Sequence, residues 1–405
     1  MYGARKKILF IAEAVTLAHV ARPLVLSSMV DTTRFDVNFA SDVRSKWLLA
    51  DFRGQFFPLP SISSDEFLVA LKRGTPLYSD KILESYVRDD LKLIDEVRPD
   101  VVVGDFRLSL SISARLAGVP YLSICNCYWS PFWRPQRYTV PDLPLLTGYL
   151  PLRLADALFQ LGRPIAFARH CGPLNRTRRR HGLPSLGTDL RQIYCDADHV
   201  LYADIPELFS DVRLPAGHQF LGPLLWSPPV TWPDWWERVP DDRPIVYVTL
   251  GSSGHPKFLP LILKSLAALE ITVIAATGGA EVPKDVPANA FVAKYLPGEE
   301  SARRARLVIC NGGSLTCQQA LAAGVPVIGI ASNLDQFLNM GTLVRAGAGQ
   351  IMRADRFDER RLVSLVTHMI AGSSHRAVAL QMADAILRYD GGSQLSDTIG
   401  HVLNA

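Results

Sequence analysis

The chain has 405 residues, 48% hydrophobic and 20% charged, which is ordinary globular usage and too apolar for a disordered chain. Lys and Arg number 43 against 39 Asp and Glu, a net charge of +4, so the strong basic footprint of a dedicated nucleic-acid binder is missing. Six cysteines, at 125, 127, 171, 195, 310 and 317, are too few for a disulfide scaffold and contain no C-x-x-C pair, which argues against structural zinc and thioredoxin-type chemistry and for reduced thiols in a cytoplasmic protein.

The first segment, KKILFIA (6–12), is a short apolar run of strand length. Arg5, Lys6 and Lys7 ahead of it give it the look of a signal peptide, but Glu13 interrupts the run and His19 and Arg22 follow without a small-residue cleavage site. A buried first strand fits better. No apolar run reaches the roughly 18 residues a transmembrane helix needs. A helix is expected from about 20 to 29, strands over 35–41 and 54–60, and a helix over 83–99 that stops at Pro99. A strand over 100–106, a helix over 109–120 closed by Gly118 and Pro120, and a strand over 121–125 complete the first set.

Residues 128–185 break this rhythm with aromatic residues followed by Arg176, Arg178, Arg179 and Arg180; RTRRR (176–180) reads first as a solvated basic helix face, with contact to an anionic acceptor or membrane surface as the alternative. Alternation resumes near 199–209. Residues 222–244 hold six prolines and four tryptophans and read as an interdomain linker. A second set follows: a strand over 245–254 running into a Gly/Ser turn, a helix near 258–269, strands over 271–278 and 291–297, and 307–313 opening a helix. A strand over 324–330, a helix over about 336–346 and a helical tail over about 376–405 close the chain. The expected fold is α/β, with two Rossmann-like doubly wound domains, 1–221 and 245–388, facing each other across a cleft. A C-terminal helix, 389–405, could pack back on the first domain.

The most informative chemistry lies in 311–352. A strand ends in Asn311-Gly312-Gly313 and a helix begins near Ser314. Glycine allows close backbone approach, and a helix N-terminus offers unpaired N–H groups and partial positive charge to a phosphate. Thr316 adds a hydroxyl. Two glycines alone occur in many α/β turns for packing reasons. Here they stand in register with Ala320, Leu321, Gly324, Val325, Pro326, Asp335, Gln336 and Asn339. That pattern resembles the donor-binding motif of UDP-glycosyltransferase-like enzymes, the group that includes macrolide and plant natural-product glycosyltransferases. The resemblance implies the GT-B fold, with the nucleotide sugar held mainly by the C-terminal domain.

Three positions depart from the family pattern: Asn311 stands where it has histidine, Gln319 where it has glutamate, and Leu315 where it has glycine. An asparagine amide still donates to a phosphate oxygen but carries no charge. A glutamine still accepts from a ribose hydroxyl, without charge assistance. The resemblance further implies that Ser252 donates to the β-phosphate, that Tyr295 stacks on the base with Leu296 offering backbone contacts, and that Asp335 and Gln336 bind the sugar hydroxyls. On the acceptor side it makes His19 the general base and Asp105 the carboxylate that orients it, although Ala18 replaces the usual glycine and Pro23 falls one residue late. Trp129, Phe132, Trp133 and Tyr138 fall where the family's acceptor pocket varies and could line a site for a flat or apolar acceptor. A hydrophobic cluster under a long loop is the alternative.

The sequence therefore points to an inverting, metal-independent glycosyltransferase. It would move a sugar from a UDP- or dTDP-linked donor to a nucleophilic group, a hydroxyl first, of a small apolar or aromatic acceptor. The nucleotide sugar would be a co-substrate; no cofactor, metal or nucleic-acid partner is expected. The alternative is a catalytically degenerate GT-B homologue that assists an active transferase, motivated by Asn311, Gln319 and Leu315. An NAD(P) oxidoreductase does not fit, because EAVTLAH (13–19) lacks the G-x-G-x-x-G turn. A GT-B-type epimerase shares the fold.

Overall fold

The computed structural model describes residues 5–134, 137–251 and 257–404. The chain divides into two compact units: Met1–Gln136 with Leu152–Leu224 and Tyr389–Ala405, and Arg137–Pro151 with Leu225–Arg388.

The first unit is built on a sheet of seven strands: β1 (Lys6–Ala12), β2 (Phe35–Ser41), β3 (Gln55–Pro58), β4 (Val101–Asp105), β5 (Tyr121–Cys125), β6 (His199–Tyr202) and β7 (His218–Phe220). Their order is β3-β2-β1-β4-β5-β6-β7 and every pairing is parallel. Every residue of β4 and β5 is buried, as expected for a parallel sheet covered on both faces. Leu9, Ile11 and Val102 of the sheet pack against Leu93, Ile94 and Val97 of the helix Asp80–Val97 and against Leu110 and Ala114 of the helix Leu110–Ala117. The longer of these helices starts where Ser79 Oγ accepts the Ile82 N–H. It stops at Arg98, which is left-handed at φ 50° and precedes Pro99. Between β1 and β4 the strand order reverses, which is where open α/β sheets place their ligands.

One feature of this unit escapes the sequence reading. Residues 152–180 form one helix of 29 residues, Leu152–Arg180, despite Pro164 and Pro173 inside it; the prolines and the mixed composition hide its period. Of the basic run at its end, Arg176 and Arg180 pair with Asp80, Arg180 also with Glu84, and Arg178 is buried against Asp196. The C-terminal helix Gly391–Asn404 belongs to this unit as well: Leu395 and Ile399 are fully buried, and Gln219 Nε2 donates to Thr398 Oγ1 at 2.6 Å.

The second unit holds six parallel strands: β8 (Ile245–Thr249), β9 (Thr272–Ala276), β10 (Ala290–Ala293), β11 (Leu307–Cys310), β12 (Val327–Ala331) and β13 (Gly349–Arg353). Their order, β10-β9-β8-β11-β12-β13, reverses between β8 and β11. Val246, Val248, Val273, Ile309 and Ile328 form its core with Ile262 of the helix Phe258–Leu266 and Leu362 and Val366 of the helix Glu359–Ala371. The Pro/Trp-rich segment from 225 onward is tied to this unit: Arg304 donates to the carbonyls of Trp236 and Val239 and lies over the Trp236 ring. Among the described residues no helix is long and apolar enough to cross a membrane.

Candidate active site

In the first unit, β1 and β4 end side by side at the reversal point, with Ala12 opposite Asp105. The helix Leu17–Ser28 then carries His19 and Arg22, spaced i and i+3, on one face. His19 Nδ1 lies 2.8 Å from Asp105 Oδ1, and Asp105 is fully buried. In the tautomer protonated at Nδ1 this contact is a hydrogen bond to the carboxylate and the lone pair lies on Nε2, although Arg22 Nη2, which can only donate, also stands 3.1 Å from Nδ1. Arg22 was not anticipated. Its Nε and Nη2 donate to the two Asp105 oxygens, both at 2.7 Å, and its Nη1 donates to Asn126 Oδ1. Burial works against the Arg22 charge, but Asp105 outweighs it and holds the guanidinium more firmly protonated than usual. The Asp105 charge is thus neutralised by Arg22, and its oxygens are locked in the geometry His19 meets. The signal that could have found Arg22 was its helical spacing from His19.

Phe106 follows Asp105 at φ 59°, a left-handed conformation unusual for a bulky residue. The turn lays its ring flat against the His19 imidazole, with centroids 4.5 Å apart and planes at 13°. From there an aromatic wall continues through Tyr194, 5.4 Å from Phe106, to Trp129, 5.0 Å from Tyr194. Of the four aromatic candidates, Trp129 stands on this wall. Phe132 is 43% exposed and sits edge-on to His218. Trp133 is packed into the interior, edge-on to Phe209. Tyr138 is buried in the other unit. Within the first unit, Trp129, Phe132 and Trp133 thus meet different neighbours.

In the second unit, β11 ends at Cys310 and the helix Ser314–Ala322 begins after Asn311-Gly312-Gly313. This helix has no side-chain cap, so no side chain of its own cap position covers its first N–H groups, an arrangement open to an anion. Thr316 is half-buried in its first turn. Asn311 is buried, and its Oδ1 accepts the Gly313 N–H at 3.1 Å. Gly312 has φ 83°; its carbonyl accepts from Asn339 Nδ2 at 2.8 Å, and an added Cβ would lie 2.7 Å from Met340 Cγ. Gly312→Ala is expected to lower the unfolding free energy by about 1–2 kcal/mol from the left-handed backbone alone, read as a lower midpoint in thermal melting.

The remaining donor-side candidates differ in availability. Gln319 is buried, and its Nε2 donates to the Trp226 carbonyl at 2.5 Å, so that part of its amide serves the Pro/Trp-rich segment. Gln336 Oε1 accepts from Ser332 and Asn333 in a capping box at the start of the helix Leu334–Ala346, while its buried Nε2 has no partner among the described residues. Asp335 beside it is half-buried. Tyr295 is 36% exposed, and its hydroxyl rests where a Cβ on Gly279 (φ 98°) would be. Leu296 is buried. Ser252 lies outside the described residues. A cavity of about 270 Å³ opens at the ends of β8 and β9, lined by residues that include Leu250, Gly251, Thr277 and Lys284. The described residues hold no metal-binding group of His, Cys, Asp and Glu. The Asp-x-Asp spacing at Asp196 and Asp198 is structural: Asp196 takes Arg115 and Arg178, and Asp198 accepts the Tyr121 N–H.

Comparison with known proteins agrees with this architecture. Residues 260–390 match the family described as erythromycin biosynthesis protein CIII-like, C-terminal domain. The chain is 52% identical over 384 residues to the PGL/p-HBAD biosynthesis rhamnosyltransferase of Mycobacterium bovis (strain BCG / Pasteur 1173P2), covering 95% of this chain and 85% of that protein. It is 51% identical over 381 residues to a PGL/p-HBAD biosynthesis glycosyltransferase of Mycobacterium tuberculosis (strain ATCC 25177 / H37Ra), covering 94% and 89%. A third relative, from the same Mycobacterium bovis strain, is described as an inactive PGL/p-HBAD biosynthesis glycosyltransferase and is 49% identical over 262 residues, 65% of this chain and 71% of that protein. Among solved structures, the glycotransferase of kitacinnamycin superposes with a TM-score of 0.72 at 19% identity, covering 98% of this chain and 99% of that one. The spinosyn rhamnosyltransferase complexed with thymidine diphosphate gives 0.70 at 16% identity, covering 97% and 99%. These structures share the fold of two Rossmann-like units.

Proposed function

The chain belongs to the family of PGL/p-HBAD biosynthesis glycosyltransferases, nucleotide-sugar-dependent enzymes of GT-B fold, and from that premise we propose that it is an inverting rhamnosyltransferase acting from a dTDP-linked donor on a hydroxyl of an aromatic or apolar acceptor. The observation that carries the proposal is the His19–Asp105 contact of 2.8 Å at the ends of β1 and β4. With Nδ1–H held by Asp105, His19 Nε2 is the atom that takes the acceptor proton as the new glycosidic bond forms. The chain needs no nucleophile of its own in this scheme: one displacement at the anomeric carbon inverts its configuration. Asp105 stabilises the imidazolium that develops, and Arg22 and Phe106 hold the pair in place. The aromatic wall of Phe106, Tyr194 and Trp129 beside the base suits a flat acceptor.

In the second unit, the uncapped helix N-terminus after Gly312-Gly313 receives the leaving diphosphate, with Thr316 and Ser252 as hydroxyl donors and Tyr295 against the base. Asp335 and the unpartnered Gln336 Nε2 face the sugar. Backbone N–H groups and hydroxyls meet the diphosphate charge, so binding is expected to be metal-independent. The name of the rhamnosyltransferase relative and the thymidine diphosphate in a structural neighbour favour dTDP over UDP. Calorimetric titration with dTDP, UDP and NADH in EDTA tests this reading. Saturable dTDP binding, weaker UDP binding and no NADH binding are the expected results. No nucleotide binding at millimolar concentration would instead support a degenerate homologue, the reading that the engaged Gln319 amide favours.

A further inference from the structure

The N-terminal half of the helix Leu152–Arg180 carries an apolar stripe open to solvent. Leu154, Leu158, Leu161 and Ile165 follow at steps of four, three and four, which stacks them on one helix face. They are 47%, 43%, 77% and 76% exposed. The C-terminal half of the same helix behaves oppositely: Phe167, Cys171, Leu174 and Thr177 are buried in the first unit. The segment is therefore anchored at one end and presents its apolar side chains at the other. Isolated exposed leucines need no explanation, but four in register on one face do.

Charge narrows what this face meets. Arg153 and Arg169 flank the stripe on its two sides and are exposed. Asp156, the sole acidic residue of the helix, is half-buried about half a turn away from the stripe. At the helix end Arg176, Arg178 and Arg180 are engaged by Asp80, Asp196 and Glu84, and the exposed Arg179 lies about 21 Å along the helix beyond Ile165. The face thus combines large aliphatic side chains with two free-facing cations and no anion of its own. A second copy is a poor match, because a two-fold pairing brings the same two cations to the contact and no anion to meet them. We propose that this half-helix docks on an anionic lipid bilayer, with the Leu154–Ile165 stripe entering the headgroup boundary and Arg153 and Arg169 meeting lipid phosphates. Such interfacial binding needs no spanning helix; it rests on apolar area plus attraction to anionic lipid.

The test uses the full chain and vesicles of phosphatidylcholine with or without phosphatidylglycerol, read by co-sedimentation and independent of any turnover. The protein is expected to bind the anionic vesicles and to lose more than about tenfold in affinity in the Leu161→Glu/Ile165→Glu double variant. Arg153→Gln/Arg169→Gln is expected to weaken binding by about thirtyfold and to reduce its salt dependence. Unchanged thermal melting in both variants, whose altered side chains are exposed, separates docking from folding. Equal binding to neutral vesicles, no binding to anionic ones, or retained binding in the leucine variant would overturn the proposal. A dimer in light scattering that the leucine variant abolishes would also overturn it and assign the face to a second copy.

Discussion

Replacing His19 by alanine is expected to reduce kcat for sugar transfer by about 10²–10⁴-fold, the usual contribution of a positioned general base, while leaving the dTDP dissociation constant unchanged. The separation follows from the chain's organisation. His19 belongs to the first unit, at the end of β1, and the diphosphate is assigned to the helix Ser314–Ala322 of the second. His19→Ala is also the cleaner of the two dyad variants. The His19 side chain is 19% exposed, and its removal leaves Asp105 with both Arg22 hydrogen bonds. Asp105→Asn would instead leave Arg22 as a buried cation without a full counter-charge, so lost activity there would mix mechanism with destabilisation. Turnover of dTDP-rhamnose with a phenolic acceptor, alongside calorimetry of the same preparation, gives both readings. Full turnover by His19→Ala would remove the base assignment.

The alternation of apolar runs with helical segments made the two parallel sheets legible, because buried parallel strands announce themselves as short continuous apolar runs. KKILFIA, FDVNFAS and YLSIC coincide with β1, β2 and β5. The reading faltered where the local signal is weak. The three-residue β7 and five-residue β13 lie at sheet edges, and the helix Leu152–Arg180 is interrupted by two prolines. At the site, His19 and Asp105 could be named because a family pattern singles them out, and the structure sets them in contact. What the pattern does not encode is which polar groups are already engaged. Gln319 reads as a ribose ligand, yet its amide holds Trp226; Gln336 reads as a sugar ligand, yet its oxygen closes a capping box. Trp133 reads as a pocket wall and is packed in the core. Long-range partnership is equally invisible: Arg22 and Asp105 are 83 residues apart in sequence, and Phe106 gives no local hint of its positive φ.

That positive φ leads to the second large effect. A bulky residue held in the left-handed region costs about 1–3 kcal/mol and persists where its surroundings over-determine it. Here the surroundings begin with Arg107, the next residue, which is fully buried. Its Nη1 donates to Glu13 Oε2 at 2.9 Å and to the Pro60 carbonyl at 2.7 Å, its Nε donates to Asp90 Oδ1 at 3.0 Å, and its guanidinium lies 3.5 Å over the Tyr86 ring. Glu13 and Asp90 are also fully buried; Tyr86 donates to Glu13, and Ser109 and Ser113 donate to Asp90. Burial pushes both carboxyl pKa values up, and Arg107 is the main force pulling them back.

Arg107→Met is therefore expected to destabilise the first unit by about 3–5 kcal/mol, the cost of leaving buried charge uncompensated. The loss has a definite pH dependence. Without the guanidinium both carboxyl values rise further above those of the unfolded chain, so the native state holds protons that the unfolded state has released. Unfolding free energy then falls as pH rises: carboxyls with raised values lend their stability below the unfolded pKa, near 4, and withdraw it as pH climbs through the folded one. The variant's deficit in urea unfolding should be larger at pH 7.5 than at pH 5, and a deficit independent of pH would argue against charge as its source. The same substitution frees Phe106 from the anchor that turns it under His19. Activity measured well below the melting temperature should therefore fall further than the folded fraction does, tying a buried ion cluster to the orientation of the proposed base.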